Sequence, residues 1–372
     1  MSKNTDVIPF TEILERVISL GRVSANAHEK VRGIINDVYL REIPVKYDWN
    51  FLMVSSAITT TEEYKTGTVS INTGSQSASF SSDATMTAAM VGLKIKFINN
   101  DVVYDINSFA GAQALQILPP LQGATNLSST TYSIFQPIYA LAKDFDRFPK
   151  DGGLYKWEGG AKKRLAEESY QEYTDDYRST PSNSENVRLV GMDTAGNQLI
   201  EFTPPPSKAR VYGYDYIKRL RPLIENTAGL IKGISSGATD VAGMVTNTRF
   251  LDSTTGDWFR FSDFGKASDS SWYQTIAITS NSDLTLSTAF ANTAVTSSGN
   301  FAISRAPEIP PKLHPAILFQ SLAHILADQN DPNAAVYMQK AALVVSDAKR
   351  IYVSRTYSTE FRSIAEEYQY RR

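Results

Sequence analysis

Apolar residues near the start of the chain recur at helical spacing. Ile13, Leu14, Val17 and Ile18 fall on one face, Thr11 after Pro9-Phe10 is placed to cap the start, and Gly21 ends the run. A second helix is predicted from Ser24 to about Leu40, with Val31, Ile34, Ile35 and Val38 inward, so the two form a helical hairpin. At Pro44 the period changes from helical to alternating. Gly67–Ile71, Leu93–Phe97, Tyr104-Asp-Ile106, Leu115-Gln-Ile117 and Tyr132-Ser-Ile134 read as short strands with one buried face, which suits a small barrel or sandwich.

A charged block runs from Lys143 to Arg178, with Gly152-Gly153 and Gly159-Gly160 flanking Trp157. Within it Ala161 to about Tyr173 is expected to form a polar helix, either a solvated face or a helix that meets a partner. Val187–Val190 and Leu199–Phe202 predict a hairpin turning around Thr194–Asn197, closed by Pro204-Pro-Pro206. Alternation resumes at Val211–Tyr216, and a second Ser/Thr-rich β region spans Gly237 to about Ser304. After prolines 307, 310, 311 and 315 the pattern is helical. One helix covers Ala316–Ala327, and a second begins at Asp331-Pro332 and runs to about Tyr352, with Ala335, Met338, Ala342 and Val345 as its face. A last one is expected from Ser358 or Thr359 to about Tyr370.

The two β regions resemble copies of one unit. Gly92–Phe97 matches Gly256–Phe261, and Val103–Ile106 matches Trp272–Ile276. Tyr104 and Leu115 are 11 apart, as are Tyr273 and Leu284; Leu115 and Tyr132 are 17 apart, as are Leu284 and Phe301. This half therefore carries a constant offset of 169, while upstream Gly67-Thr-Val69 pairs with Gly243-Met-Val245 across a loop that is longer in the first copy. The expected fold class is α+β: a helical frame from both termini with inserted, duplicated small antiparallel β-barrel or sandwich units. The expected segments are 1–43 (N-terminal helices), 44–145 (first β unit), 146–236 (charged helix and proline-broken hairpin), 237–306 (second β unit) and 307–372 (C-terminal helices and tail).

Composition narrows the chemistry. With 372 residues, 42% hydrophobic and 20% charged, the chain can build real cores, and its length suits two or three domains. A net charge of −2 disfavours a globally cationic nucleic-acid binder. There is no cysteine, which removes disulfides, cysteine zinc sites and thiol nucleophiles, and the only histidines are His28, His314 and His324. The N-terminal residues lack an apolar signal region and no long apolar window occurs, so a soluble protein made in the cytoplasm is expected.

Catalytic motifs are thin. Gly233-Ile-Ser235-Ser-Gly237 has the nucleophile-elbow spacing but no strand–turn–helix context. Phe264-Gly265-Lys266 lacks the P-loop's first glycine and its following Ser or Thr. Asp328–Asp331 reads as a helix–helix turn, not a calcium loop, and His324 lies in an apolar helix. Asp175-Asp176 and Glu366-Glu367 read as surface carboxylates. No enzyme activity, metal or cofactor is expected.

Several segments, in order, carry a family resemblance. Tyr132–Phe145 resembles a strand leading into a Leu-x-x-Asp-Phe turn, Leu199–Tyr214 is a proline-broken hairpin followed by Arg219-Leu-Arg-Pro-Leu223, and Glu308–His314 leads into Ala-rich helices broken at Asp328–Asn333. This layout resembles the head-to-tail adaptor (connector) proteins of tailed phages, most closely the tail tubular A proteins of short-tailed phages. The second β region departs from it, occupying 237–304 where simpler adaptors go directly to the helices.

The resemblance implies a homo-oligomeric ring of about twelve copies. Such a ring sits in the virion neck, is assembled in the host cytoplasm, and binds the portal protein and a downstream tail or nozzle protein. Genomic double-stranded DNA passes its lumen without sequence-specific binding, and no membrane is involved. Portal docking would fall to the aromatic and basic C-terminal residues Tyr352, Arg355, Tyr357, Phe361, Arg362, Tyr368, Tyr370, Arg371 and Arg372. Two other readings stand beside it: another neck or tail structural protein, and a carbohydrate-binding adhesion module stacking sugars on Trp157, Trp258 and Trp272.

Overall fold

Phe10, Ile13, Leu14 and Val17 are buried along α1 (Phe10–Leu20), as their spacing predicts. In this computed structural model residues 7–98, 100–123, 125–150, 152–158, 161–167, 180–244, 248–261, 271–291 and 299–353 are described. Contacts divide the chain into two compact units: residues 1–52 with 220–372, and residues 53–219. The class is α+β, and among the described residues all paired strands but one pair are antiparallel.

The first unit contains the helices. Thr11 is not the cap of α1: the helix begins one residue earlier, behind Pro9, and Thr11 is buried inside it. The leading amides are satisfied by another segment, Phe10 N–H donating to the Arg305 carbonyl (3.0 Å) and Thr11 N–H to Ser304 Oγ (2.9 Å). The predicted second helix is a composite. A 3₁₀ turn (Ala25–Ala27) leads into α2 (His28–Asp37), a π-helical turn (Val38–Glu42) and the short α3 (Ile43–Val45). α4 (His314–Asp328) is buried over most of its circumference and is contacted by α1, α2 and α5 (Asn333–Tyr352). A helix apolar all round needs neighbours on every side, and α4 has them. The Asp331 carboxylate accepts the Asn333 amide at 2.8 Å just ahead of α5; the cap position itself is Pro332, one residue later than the sequence suggests, and has no side-chain cap. The buried side of α5 carries Ala341, Val345 and Ala348; of the predicted face only Val345 is inside, and Ala335, Met338 and Ala342 are exposed.

The second unit holds β1 (Met53–Thr59) and two strand systems. β2 (Val69–Ile71), β3 (Ser77–Phe80), β4 (Lys94–Phe97), β5 (Val103–Gly111), β6 (Ala114–Leu118), β7 (Leu127–Thr130) and β8 (Tyr132–Phe135) form a sheet ordered β7-β2-β3-β6-β5-β4-β8. Tyr64, just ahead of β2, bridges Ile134 on β8 and so brings the sheet's two ends together. The core inside it includes Ile95, Phe97, Tyr104, Leu115 and Ile134.

The rest of this unit is β9 (Ile138–Ala140), β10 (Phe145–Arg147), β11 (Gly153–Glu158), β12 (Ala161–Arg164), β13 (Ala166–Glu167), β14 (Asn186–Met192), β15 (Gln198–Thr203) and β16 (Val211–Lys218). β1-β16-β11-β12 form one sheet, with β10 also on β16, and β13-β14-β15-β9 form another; their common core includes Leu154, Ile200, Phe202, Tyr212 and Tyr214. Ala161–Arg164 is therefore an edge strand, not the start of a polar helix. Its side chains all face solvent and show no alternation. The local signal is instead Gly159-Gly160 between the paired Glu158 and Ala161, the spacing of a tight hairpin. The predicted helix from residue 168 onward lies outside the described residues.

The first unit also carries a second sheet. β17 (Glu225–Asn226), β18 (Ile231–Gly233), β19 (Asp240–Gly243), β20 (Trp258–Phe261), β21 (Tyr273–Ser280), β22 (Asp283–Leu286) and β23 (Phe301–Ser304) follow the order β17-β23-β20-β21-β22-β19-β18. Strand for strand this repeats β8-β4-β5-β6-β3-β2, and β17 on Ile303 repeats the bridge of Tyr64 to Ile134. The register agrees as well. Ile106 faces Ile117 as Thr275 faces Leu286, and the two irregularities in β5 recur in β21 at the same offset of 169. The Gln122 amide donates to the Tyr104 hydroxyl (3.0 Å), and the Ala291 amide to the Tyr273 hydroxyl (3.2 Å). Left-handed glycines coincide too: Gly67 with Gly229, Gly74 with Gly237 and Gly92 with Gly256, all at positive φ, where a side chain would be strained.

This register corrects the upstream alignment. Gly243 sits opposite Ile231 as Phe80 sits opposite Val69, so Gly67 corresponds to Gly229 and not to Gly243. The longer loop is in the second copy, where Phe261 and Tyr273 are further apart than Phe97 and Tyr104. The second β unit likewise begins at Glu225, ahead of the predicted Gly237.

Leu115 and Leu284 occupy matching positions in two separate cores. Leu115→Ala and Leu284→Ala should each cost about 2–5 kcal/mol. Limited proteolysis should then find the damage local: Leu115→Ala opens residues 64–135 and spares 225–304, and Leu284→Ala does the reverse. Equal loss of protection in both regions from either change would contradict separate cores.

Candidate functional site

Tyr352, the first of the predicted docking residues, is half-buried at the end of α5. Its ring meets Phe51 edge-on (5.6 Å), Phe51 stacks on Trp49 (5.4 Å), and Trp49 meets Tyr47 edge-on (5.2 Å). Trp49 is fully buried and donates its indole N–H to the Ile43 carbonyl at 2.9 Å, while Val353 bridges Trp49. The aromatic series clamps the end of α5 onto the turn after α3 and fixes the point from which the chain continues. Arg355, Tyr357, Phe361, Arg362, Tyr368, Tyr370, Arg371 and Arg372 lie outside the described residues.

α5 has apolar residues on its outer side as well. Val336, Leu343 and Ile351, spaced seven and eight apart, are 47%, 67% and 54% exposed, and Met338 flanks them. A helix already satisfied on one face by Ala341, Val345 and Ala348 gains nothing within its own unit from this stripe. Exposed apolar residues aligned along one side of a helix, at seven- and eight-residue intervals, suit an interaction face. The signal was in the sequence as the seven-residue interval from Val336 to Leu343, but it was masked because both sides of α5 are apolar.

The candidate nucleophiles and bases do not converge. Ser235 is exposed in the turn between β18 and β19, a hairpin connection and not a strand-to-helix elbow. His324 is paired with Glu42 at 3.0 Å, and Gln320 also donates to Glu42 while accepting from Lys46 at 3.1 Å; together they hold the π-helical turn and its extension to α4. Asp328 pairs with Lys30 at 2.8 Å, and this contact holds its carboxyl below the usual range. No group of His, Asp and Glu among the described residues could hold a metal ion. Phe264–Lys266, Asp175-Asp176 and Glu366-Glu367 lie outside the described residues.

His314 is buried and neutral in its contacts. Nδ1 accepts the Ile8 amide (3.0 Å) and Nε2 faces the Ile309 carbonyl (3.0 Å), which fixes the tautomer with the proton on Nε2. Burial lowers its pKa from the ordinary 6.5, against the opposing pull of the Ile309 and Pro307 carbonyls.

The three tryptophans proposed for sugar stacking differ in exposure. Trp258 and Trp272 are half-buried, with the Arg260 guanidinium 4.6 Å from the Trp272 ring. Trp157, on β11, is 66% exposed and stands edge-on to Tyr155 (6.3 Å, 87°). Tyr155 lies across Gly213 on β16, where an added Cβ would come within 2.6 Å of the ring. The Lys162 ammonium is 3.5 Å from the Tyr155 ring centre and 3.2 Å from Asp215, which also accepts from the Ser55 hydroxyl at 2.6 Å. Burial acts to raise the Asp215 pKa, but Ser55 and Lys162 together hold it below the usual carboxylate range. Lys162, Asp215 and Ser55 come from distant parts of the sequence, and only strand pairing brings them together.

The low His314 pKa has a definite sign. The unfolded chain takes up a proton near the ordinary 6.5, and the folded chain does so only at lower pH. The stability His314 contributes is present above pH 6.5 and is lost as pH falls toward its folded pKa. Urea midpoints should therefore drop between pH 7.5 and pH 5.5, and His314→Asn should flatten that dependence; an identical pH slope in both proteins would refute the assignment. No helix among the described residues is long and apolar enough to cross a membrane. Comparison of the chain with protein-family models and with curated proteins finds no match.

Proposed function

We propose that this chain is a structural virion protein, a head-to-tail adaptor that assembles as a ring between the portal and the tail and forms part of the DNA exit channel. The observation that carries the reading is α5. It closes its own unit with one face and offers Val336, Leu343 and Ile351 on the other. A ring is built from heterologous contacts, so each subunit needs two different adhesive faces, and an outward apolar helix supplies one of them. In this reading the helices from both ends of the chain form a frame, α1, α2 and α5 packing around α4. The C-terminal residues after the Trp49–Phe51–Tyr352 clamp engage the portal. Overall charge near neutrality favours passage of DNA over capture, because phosphate affinity grows with each Lys or Arg contact.

The two β sheets are copies made by internal duplication. Shared strand order, shared register, three coinciding left-handed glycines and the two tyrosine–amide contacts support a common origin. The frame would hold one copy in each unit, displayed to the next tail component. The chemistry is mechanical, with no catalytic role assigned to Ser235 or His324. Another structural protein of the neck or tail would share most of these features, and ring closure separates the two.

Native mass spectrometry and negative-stain imaging test the proposal. The purified chain, alone or with a portal ring added, should form closed rings of about twelve subunits. Leu343→Asp should leave monomers with an unchanged circular-dichroism spectrum. A wild-type chain that stays monomeric at high concentration and in the presence of the portal would sink the adaptor reading.

A further inference from the structure

A ring needs a second surface to receive the outer face of α5, and other helices of the first unit offer one. α1 and α2 pack on α4 and on each other, while α5 runs along α4 and meets the 3₁₀ turn (Pro311–Leu313) ahead of it. Between α2, the α1–α2 connection and the end of α4 the packing leaves an apolar cleft. Val23, Ala27 and Ile34 stand half-buried around it, and buried Val31 and Ile325 form its floor. Its volume is about 170 Å³. Small-molecule sites run to roughly 300–1,000 Å³, so this cleft suits one aliphatic side chain better than a ligand. Gln329 on its wall is held in place by donating to the Gly21 carbonyl (3.1 Å). Lys30 of α2 and Asp328 of α4 pair across the rim at 2.8 Å, with more than half of each side chain in solvent.

Leu343 has the matching form. At 67% it is more exposed than Val336, Met338 or Ile351. It lies on the side of α5 opposite Ala341, Val345 and Ala348, so it faces away from its own unit and the cleft it fits belongs to another copy. Lys340 stands three residues before it and Asp347 four after, which puts all three on one side of the helix, a turn apart. The ridge therefore presents a cation, a leucine and an anion in order. The cleft presents a cation on one wall and an anion on the other. With Leu343 seated between the walls, one direction of α5 brings Asp347 to Lys30 and Lys340 to Asp328, and the reverse direction brings like charges together. Charge sets the direction of the contact, and shape sets its depth.

We infer that Leu343 of each copy seats in the α2–α4 cleft of the next copy, with Lys340 matched to Asp328 and Asp347 to Lys30. The inference rests on the ring reading of α5 and adds the surface that receives it. Ridge and cleft are different surfaces, so each copy gives one and takes one, the heterologous contact from which rings are built.

The chain has no cysteine of its own, so introduced thiols report the contact directly. Ala27→Cys and Leu343→Cys are combined in the full chain, and the purified protein, alone and with a portal ring added, is treated with a short bismaleimide. The double variant should give a covalent ladder extending past the dimer, and each single variant monomer only. In sedimentation at low salt, Lys30→Glu should weaken association at least about fivefold, and adding Asp347→Lys to it should restore association. Circular dichroism and thermal melting should match the wild type, because the altered side chains are exposed or half-exposed.

Rings that form without the double-variant ladder would overturn the cleft and leave the adaptor reading intact. Covalent dimers from Leu343→Cys alone would pair the ridge with its own symmetry mate and rule the cleft out as well. A ladder from chains that never close into rings would support the cleft and count against the adaptor reading. A wild-type chain that stays monomeric with and without the portal would remove both.

Discussion

Arg305 and Asp257 are both buried, their charged groups 3.3 Å apart, and the first unit is organised around that pair. Arg305 lies immediately after β23 and reaches three other segments. Its guanidinium donates to Asp257 before β20, to the Pro222 carbonyl (2.8 Å) and to Thr254 Oγ1 (3.1 Å); its backbone donates to the Ile224 carbonyl and accepts from Phe10 at the start of α1. Taking two charges out of water is costly, and an apolar pair of similar volume would often be as stable. What the ion pair adds is position. Each donor has one acceptor it can reach, so the strand end, the linker after residue 219 and the first helix must meet in one arrangement. Removing one partner would strand a buried charge, a loss of about 3–5 kcal/mol.

The same economy of position runs through the two sheets. A short antiparallel sheet has two edges to protect, and here each curls until the segment before its first long strand meets its last one, Tyr64 on Ile134 and Asn226 on Ile303. The residues preceding those bridges also correspond: Glu63 accepts from Ser133, and Glu225 accepts from Arg32 of α2 (2.7 Å). In the second copy that carboxylate ties the sheet to a helix. The equivalent position in the first copy is spent inside its own sheet.

Legibility in the sequence followed the strength of each local constraint. Tyr104 and Tyr273, Leu115 and Leu284, and Tyr132 and Phe301 were readable as a repeat because the strands between them are short, buried and joined by turns of fixed length. The repeat was lost upstream because three small changes in length accumulate there, and a Gly-x-Val string recurs by chance at Gly243. Ala161–Arg164 failed for a different reason: an edge strand with every side chain in solvent carries no period, so charge density alone suggested a helix. Thr11 looked like a cap because a threonine stands after Pro9-Phe10 at the head of the helical run, but it lies inside the helix and its amide is taken by Ser304, which no local pattern can announce. The Ser55–Asp215–Lys162 network belongs to the same class, since its members are neighbours only after β1, β16, β11 and β12 have joined in one sheet.

α5 shows how a single helix can carry two unrelated obligations. Its inner face needs small side chains, Ala341 and Ala348, because α4 and the chain ahead of it leave little room. Its outer face has no such limit and carries Leu343 and Ile351. Exposing those side chains lowers the solubility of a lone subunit, and nothing in their own unit returns that cost. Lys340, Asp347 and Arg350 interrupt the stripe, which keeps the patch narrow and leaves its charges able to choose among partners. A narrow apolar ridge bordered by both signs of charge suits a complementary apolar surface whose charges match its own. In the proposed ring that surface belongs to the neighbouring copy and differs from the ridge itself, whereas a two-fold dimer would pair the ridge with its own symmetry mate.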